Sequence, residues 1–423
     1  MTPVPSQTND SLASRYGSIA KLSVFGLDQA GITAAITRIL TRYNVTTLDI
    51  GQTLIHGHLN LGMLIAVPES SDQSCLQAEI ESLVLRFDNR VTFEPVSADS
   101  YNDWVYQQDK ARYIVTLLAR QITAEHIAAL TTIAMDHGLN FDHITRLSDR
   151  VPMDSLSSQT KSVVAFSAQG TPQTIKALRA AFMALSATYD IDIAVQEESI
   201  YRSNRRLVCF DMDSTLIEAE VIDELAIEAG VGDQVAAITE QAMAGALDFN
   251  QSFEKRMALL EGLSEEVLQS VAACLKLTEG AEHLFTVLKI LGYKTAILSG
   301  GFDYFARYLQ ERLGVDYVYA NQLDVVDGRL SGKVVGDVVN GERKAELLRH
   351  LAEKENINLQ QVIAVGDGAN DLPMLSAAGL GIAFRAKPLV KASAEQSISH
   401  LGLDAILYLM GFSDRDIASL SHT

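Results

Sequence analysis

Apolar runs of strand length alternate with amphipathic stretches of helix length along most of the chain. The first series, from Lys21 to about residue 96, predicts the order strand, helix, strand, strand, helix, strand. The same order recurs from about residue 112 to residue 197, so one unit is repeated at a spacing of roughly ninety residues. This order is typical of a ferredoxin-like α+β domain, and the sequence therefore predicts two such domains in tandem.

A charged connector around residues 197–206 leads into a third series, in which apolar strands alternate with helices. Such alternation is typical of a doubly wound, mostly parallel α/β sheet of the Rossmann-like kind. Between about residues 218 and 276 the pattern is helical and longer than a crossover needs, which predicts a helical cap over the sheet edge. We expect a flexible N-terminus (1–20), two α+β domains (21–98 and 110–198) and an α/β domain (205–415) that carries the cap at about 218–276.

Overall charge narrows the classes of partner. The chain of 423 residues has 34 basic and 53 acidic residues and a formal charge of −19, which argues against nonspecific binding to nucleic acid or to an anionic membrane. No apolar stretch approaches the roughly 20 residues of a membrane span, and the N-terminus lacks the regions of a secretory signal. Cys75, Cys209 and Cys274 are scattered and predict buried free thiols. We therefore expect a cytoplasmic protein.

Two aspartates at the end of an apolar strand are the most informative chemical feature. Asp211 and Asp213 follow the strand Leu207-Val-Cys-Phe210 and share one side of the chain while it stays extended. Like charges held together are costly unless a cation lies between them. The pattern predicts a divalent cation and a carboxylate that can attack phosphorus. Taken alone, the same residues are also consistent with a solvated turn.

Three later segments add groups of the same chemistry. One strand ends in Ser299 and two glycines immediately before a helix, whose N-terminal amides attract anions. Lys344 lies near the start of a helix that is predicted over residues 344–354, and Asp367 and Asp371 follow another buried strand. Ligands of open parallel sheets bind beyond the carboxyl ends of the strands, so these groups should share one crevice. Ligation by oxygen alone suits Mg²⁺.

In order and spacing these motifs resemble those of the haloacid dehalogenase superfamily, and over about residues 205–400 they are similar to the phosphoserine phosphatases. The resemblance implies that Asp211 is a nucleophile that forms an aspartyl-phosphate and that Asp213 is the general acid and base. It implies Mg²⁺ ligation by the carboxylates of Asp211 and Asp367 and by the main-chain carbonyl of Asp213. Asp371 would be a metal ligand, a hydrogen-bond partner of Lys344 behind the metal site, or both, and the partner role is preferred.

The same resemblance implies the substrate O-phospho-L-serine, whose hydrolysis to L-serine and phosphate is the last step of serine biosynthesis. Glu220 would bind the ammonium group of the substrate, and Arg256 would bind its carboxylate. The groups implied to hold the phosphoryl group or to line the pocket are Ser299, Gly300, Lys344 and Asn370, with Met243 and Phe249 as its walls.

The first α+β unit resembles the ACT domain, a sensor of small molecules. The resemblance rests on Gly26-Leu-Asp28-Gln-Ala-Gly31, between the first strand and the first helix. The equivalent segment of the second unit, Ala119-Arg-Gln-Ile-Thr123, lacks both the glycines and the aspartate, so ligand binding is implied for the first unit alone. The resemblance implies an amino-acid effector and a homodimer. Two packing domains without any ligand are the alternative.

Two other functions are compatible with the sequence. The same chemistry could act on another small phosphate ester, in which case the substitution Arg256→Ala would not discriminate between substrates. A protein of a different class would use the phosphatase-like domain to relay a signal from an amino-acid sensor. The presence of both Asp211 and Asp213 favours an enzyme, and a phosphatase regulated by its N-terminal units combines the two ideas.

Overall fold

The computed structural model describes residues 17–107, 110–155, 157, 160–243 and 247–420. The predicted flexible N-terminus lies, as far as residue 16, outside the described residues. Two compact units make up the chain, Met1–Lys110 and Ala111–Thr423. Among the described helices, none combines the length and the apolar character that crossing a membrane requires.

The first unit contains a four-stranded antiparallel sheet with two helices. Its elements are β1 Ser18–Leu27, α1 Ile32–Arg42, β2 Thr46–Ile55, β3 His58–Val67, α2 Gln73–Arg86 and β4 Arg90–Val96. The strands lie in the order β2-β3-β1-β4, and the apolar faces of the helices and the sheet enclose one core. A further helix, α3 Ala98–Tyr106, follows and was not predicted.

The second unit begins with a repeat of the same fold. Its elements are β5 Arg112–Ala119, α4 Ala124–Asp136, β6 Leu139–Arg146, β7 Ser162–Gly170, α5 Ile175–Tyr189 and β8 Asp192–Glu197. The strand order β6-β7-β5-β8 corresponds to that of the first sheet. The predicted repetition of a ferredoxin-like order is therefore present in both units.

A seven-stranded sheet forms the centre of the rest of the second unit, in the order β12-β11-β10-β9-β13-β14-β15. Its strands are β9 Leu207–Phe210, β10 Lys294–Phe302, β11 Tyr317–Val326, β12 Arg329–Val335, β13 Val362–Gly366, β14 Leu380–Phe384 and β15 Gln396–Ile398. The helices between and after them are α10 Ala281–Ile290, α11 Asp303–Leu313, α12 Gly341–Lys354, α13 Leu372–Ala377, α14 Pro388–Ser393, α15 Ile406–Leu409 and α16 Asp414–Leu420. Strands β9, β10, β13, β14 and β15 pair in parallel, which confirms the predicted fold class.

Four helices occupy the stretch that was predicted to form a helical cap. They are α6 Val221–Glu228, α7 Gly232–Met243, α8 Phe249–Ala258 and α9 Glu266–Cys274. Asp248 begins α8 with a capping box, in which its side chain accepts the amide of Gln251 and the Gln251 side chain accepts the amide of Asp248. This capping box fixes the start of α8, the helix that carries Phe249 and Arg256.

Three local predictions were wrong. Helix α12 begins at Gly341 rather than at Lys344, because the side chain of Asn340 accepts the amide of Arg343 and caps the helix three residues earlier. A strict alternation of strands and helices was predicted, whereas β11 and β12 form an antiparallel hairpin with no helix between them. Cys209 is buried as predicted, but Cys75 and Cys274 are exposed, because they lie near helix ends and point away from the cores.

The ferredoxin-like domain of the second unit shares its core with the α/β domain. Leu118, Val163 and Ala194 pack in the same apolar cluster as the strands and helices of the large sheet. The side chain of Gln396 both donates to the carbonyl and accepts from the amide of Val195, at 2.6 and 2.8 Å. These contacts make the junction a part of the folded core.

Candidate active site

The carboxyl ends of two neighbouring strands, β9 and β13, bring the predicted acidic groups together. Strand β9 ends at Phe210 and leads to Asp211, whose amide donates to the carbonyl of Val365 on β13 at 2.8 Å. Asp367 follows β13 directly. The carboxylate oxygens of Asp211, Asp367 and Asp371 lie within 4.8 Å of one another. The parallel register of β9 and β13 thus creates the predicted crevice.

Lys344 is completely buried and joins two of these carboxylates. Its Nζ donates to Oδ1 of Asp211 and to Oδ1 of Asp371, both at 2.7 Å. Lysines in the first turn of a helix normally reach solvent, but here helix α12 directs the side chain into the crevice. Burial lowers the pKa of the ammonium group, but Asp211 and Asp371 outweigh this effect and raise it, so Lys344 stays charged.

Asp213 lies next to the glycine-rich end of β10. Its Oδ1 accepts the amide of Val221 at the start of helix α6. A Cβ atom on Gly301 would lie 2.4 Å from Oδ2 of Asp213 and 3.2 Å from Oγ of Ser299. Position 301 therefore has to be glycine for the carboxylate and the hydroxyl to approach the backbone this closely.

The loop after β13 is built around Asp371. Oδ2 of Asp371 accepts the amide of Gly368 at 2.9 Å, while its other oxygen binds Lys344. A Cβ on Gly366 would lie 2.4 Å from the Asp371 carboxylate, and one on Gly368 would lie 2.2 Å from Oδ1 of Asn370. Both oxygens of Asp371 are thus engaged within the protein, which supports a structural role beside Lys344 over direct ligation.

Helices α6 and α8 bring the predicted substrate-binding groups toward the same crevice. Glu220 precedes helix α6 and accepts a hydrogen bond from Oγ of Ser214 at 2.8 Å. Arg256 is partly buried in the last turn of α8 and lies close enough to lower the pKa values of both Glu220 and Asp223. Their carboxyl groups nevertheless have raised pKa values, since burial is the larger effect.

Phe249 closes one wall of the candidate pocket. A Cβ on Gly300 would lie 3.0 Å from Cζ of Phe249, so the phenyl ring covers the backbone at the end of β10. Met243 is the last residue of helix α7, and its side chain lies outside the described part of the structure. The structure therefore brings Phe249 to the site and leaves the role of Met243 a prediction.

The acidic groups of the crevice share one electrostatic environment. Burial, and then the charge of Asp371, raises the pKa of Asp211 well above its usual range, against the opposing effect of Lys344. Burial, and then the charge of Glu220, raises the pKa of Asp213. The pKa of Asp367 rises to about 7, through burial first and then through Asp371 and Glu220. One ammonium group does not balance this many carboxylates, so the site favours an additional cation.

Sequence reasoning gave no role to two hydroxyl groups of the first motif. Oγ1 of Thr215 donates to Oδ1 of Asp367 at 3.3 Å and orients that carboxylate. Ser214, which orients Glu220, adopts a left-handed backbone with φ 57°. The spacing of Thr215 from the two aspartates was a signal for the first contact, whereas no pattern indicates a left-handed serine.

Comparison with known proteins gives three family matches and close relatives. Residues 205–379 match the haloacid dehalogenase-like hydrolases, and residues 19–94 and 111–196 each match an ACT domain. A phosphoserine phosphatase of Streptomyces coelicolor is 39% identical over 94% of this chain and 93% of its own. One of Mycobacterium tuberculosis is 36% identical over 94% of both chains. The crystal structure of a hydrolase of the same superfamily from Salmonella enterica serovar Typhi has a TM-score of 0.60 and 32% identity, over 70% of this chain and 98% of that one.

Proposed function

Because the chain belongs to the phosphoserine phosphatases, a family of haloacid dehalogenase-like hydrolases that here carries two ACT domains, we propose that it hydrolyses O-phospho-L-serine to L-serine and phosphate. The family that the motifs resemble is thereby confirmed. The observation that carries the proposal is the contact between Asp211 and the buried Lys344, at 2.7 Å, beside the glycine-rich end of β10. This arrangement offers a carboxylate nucleophile next to groups that suit a phosphoryl anion.

In the first half-reaction, a carboxylate oxygen of Asp211 bonds to phosphorus while the bond from phosphorus to the serine oxygen breaks. Asp213 donates a proton to the departing serine oxygen. The product is an aspartyl-phosphate, a mixed anhydride that water attacks readily. In the second half-reaction Asp213 takes a proton from the attacking water, and the bond between phosphorus and Asp211 breaks.

The donor set fits Mg²⁺, since it consists of hard oxygen ligands and has more negative than positive charge. We assign ligation to the carboxylates of Asp211 and Asp367 and to the main-chain carbonyl of Asp213. The ion would offset the negative charge of the phosphoryl group as the Asp211 carboxylate approaches it. Thr215 and Lys344 hold the carboxylates of Asp367 and Asp211 in place. Chelation with EDTA should abolish turnover, and added Mg²⁺ should restore it.

The phosphoryl group would be held by Ser299, the amide of Gly300, Lys344 and Asn370. Recognition of the serine portion would fall to Glu220 and Arg256, which carry opposite charges that match an ammonium and a carboxylate group. Phe249 would exclude water above Gly300. This combination of groups supports an α-amino acid phosphate as substrate, and we propose that the reaction is the last step of serine biosynthesis.

A pair of substitutions tests chemistry and substrate separately. Asp211→Asn should reduce turnover of every phosphate ester by at least about 1000-fold, since the nucleophile is lost. Arg256→Ala should reduce kcat/KM for phosphoserine by about 100-fold and leave hydrolysis of p-nitrophenyl phosphate within about twofold. Lys255→Ala, on the same turn of α8, is the matched control and should leave both unchanged. If Arg256→Ala affected both substrates equally, another phosphate ester would be the natural substrate.

The first ACT domain supports the proposal of an amino-acid effector. Gly31 begins α1 with φ 95°, and the carbonyl of Leu27 accepts Nδ2 of Asn89 at 3.1 Å. Oδ1 of this buried asparagine faces Gly26 and has no hydrogen-bond partner among the described residues. Serine is the effector to test first, because it is the reaction product. A cytoplasmic homodimer remains the expected form of the enzyme.

A further inference from the structure

The segment Ser299-Gly300-Gly301 departs from the regular sheet at the point where the phosphoryl group would bind. Parallel pairing of β10 with β11 is regular up to Leu298 opposite Tyr319 and resumes at Phe302 opposite Asn321. Three residues of β10 therefore lie opposite Ala320 alone. Two successive glycines in such a bulge are conformationally permissive, so something other than backbone sterics has to fix their peptide planes.

A single peptide unit, between Gly300 and Gly301, is held at both ends by side chains. Nδ2 of Asn321 donates to the carbonyl oxygen of Gly300 at 2.8 Å. The amide of Gly301 donates to Oγ of Ser299 at 2.9 Å. Because Ser299 Oγ accepts that bond, its own hydroxyl proton stays available for an oxygen of the substrate. The orientation of this peptide unit thus determines the direction of the two donors of the segment, the Ser299 hydroxyl and the adjoining amide of Gly300.

Asn321 also holds the chain that leads to Lys344. Its Oδ1 accepts the amide of Val339 at 2.8 Å, immediately before Asn340 caps helix α12. The amide of Lys344 in turn donates to the carbonyl of Asn340 at 2.9 Å. Asn321 is 2% exposed, so both of its polar atoms exchange hydrogen bonds with the protein interior. One side chain consequently links the glycine segment of β10 to the start of the helix that carries the lysine.

We propose that Asn321 is a positioning residue that orients the phosphoryl-binding hydroxyl of Ser299 and amide of Gly300 and the start of the Lys344 helix. The inference rests on the proposed phosphatase function and adds to it a residue that touches neither the substrate nor the metal ligands. Donors aimed in advance at the phosphoryl oxygens lower the reaction barrier, and a small misalignment is costly. Loss of the Asn321 contacts should therefore impair the hydrolysis of every phosphate ester to the same extent, because all of them share the phosphoryl group.

Two substitutions separate the contacts of Asn321. Asn321→Asp retains the acceptor for Val339 and loses the donor to Gly300, whereas the neutral Asn321→Leu loses both. Each should lower kcat/KM by about tenfold to 100-fold, by the same factor for phosphoserine and for p-nitrophenyl phosphate. Each should also raise the inhibition constant of inorganic phosphate. If Asn321→Leu fails to fold, Asn321→Asp alone carries the test.

The matched control is Gln396→Met, because Gln396 is also a buried amide that exchanges two hydrogen bonds with backbone, but at the other end of the sheet. It should lower the unfolding temperature and leave kcat/KM and the phosphate inhibition constant within about twofold. The inference is overturned if the Asn321 variants also keep both constants within twofold of the wild type. Failure of the proposed function is distinguishable, because the wild type itself would then hydrolyse neither substrate.

Discussion

The two ACT domains have the same order of elements and the same order of strands, but they differ in how their first turn is used. In the first, Gly31 begins the helix in a left-handed conformation and Asp28 is exposed. In the second, Thr123 begins it with a capping box to His126. The preceding Arg120 donates to both carboxylate oxygens of Glu279, at 2.8 and 2.7 Å. The turn that we propose as a ligand site in the first copy is a docking contact in the second.

The difference extends to the cores. The first ACT domain encloses an apolar cluster of its own, whereas part of the second belongs to the cluster of the phosphatase domain. The predictions below compare the two copies, beginning with the largest expected effect.

Leu118→Ala should destabilise the phosphatase directly. Leu118 is completely buried in the shared core, so the substitution should cost about 2–5 kcal/mol of unfolding free energy. The control is Leu22→Ala, at an equally buried site of the first ACT domain. Thermal inactivation of phosphatase activity should occur at a lower temperature for the first variant and remain unchanged for the second. Equal inactivation temperatures would contradict the distinction between the two copies.

Arg120→Ala should have a smaller effect, of about 1 kcal/mol, since its ion pair with Glu279 is only partly buried. Burial raises the pKa of Glu279, but Arg120 and Arg385 outweigh it, so the net shift is downward. Lys21→Ala removes the exposed pair with Glu94 in the first ACT domain and should cost less than about 0.5 kcal/mol. Urea unfolding, monitored by activity and by circular dichroism, measures the unfolding free energies of both variants. The comparison fails if the two variants are equally stable.

The junction should also weaken as pH rises. Nδ1 of His400 lies 3.2 Å from Oδ1 of the buried Asp192, with Asp190 and Lys391 nearby, and hydrogen bonding to Asp192 is the largest cause of its raised pKa. Because the folded-state pKa is raised, this stabilisation is complete below the unfolded value of about 6.5 and disappears as pH rises through the folded pKa.

The corresponding measurement is the unfolding temperature of the second unit as a function of pH. The unfolding temperature of the wild type should exceed that of His400→Asn by about 1–3 °C at pH 6, and the difference should shrink toward pH 8. A difference that is constant over this range would mean that the histidine does not contribute through its charge.

The smallest effect concerns the turn of residues 26–31 in the first ACT domain. Serine should raise the unfolding temperature of the first ACT domain, as expected for a ligand that binds the folded state. Asp28→Ala should reduce that shift, and Gln121→Ala, at the equivalent turn of the second domain, should leave it unchanged. A shift that survives Asp28→Ala but is lost in Gln121→Ala would reverse the assignment of sensor and structural copy.

Much of the site was predictable because its residues follow apolar strands in a fixed order. Asp211, Asp213 and Asp367 lie in contiguous motifs, and parallel pairing leaves their strand ends side by side, whereas Lys344 reaches them from helix α12. Asn321 was not predictable, since a single asparagine within a strand has no pattern of its own and its partners are backbone atoms. The docking of the second ACT domain was hidden for a similar reason. Alternating apolar residues reveal a strand with buried faces but not which domain covers each face.

Phosphate release from O-phospho-L-serine by the full chain with Mg²⁺ tests the central claim most directly. Phosphothreonine and p-nitrophenyl phosphate serve as alternative substrates, and Asp211→Asn as the inactive control. The account predicts a kcat/KM for phosphoserine at least about 100-fold higher than for the other two and no release by the variant. Hydrolysis of the aryl phosphate alone would leave the aspartate chemistry intact but contradict the recognition of serine by Glu220 and Arg256.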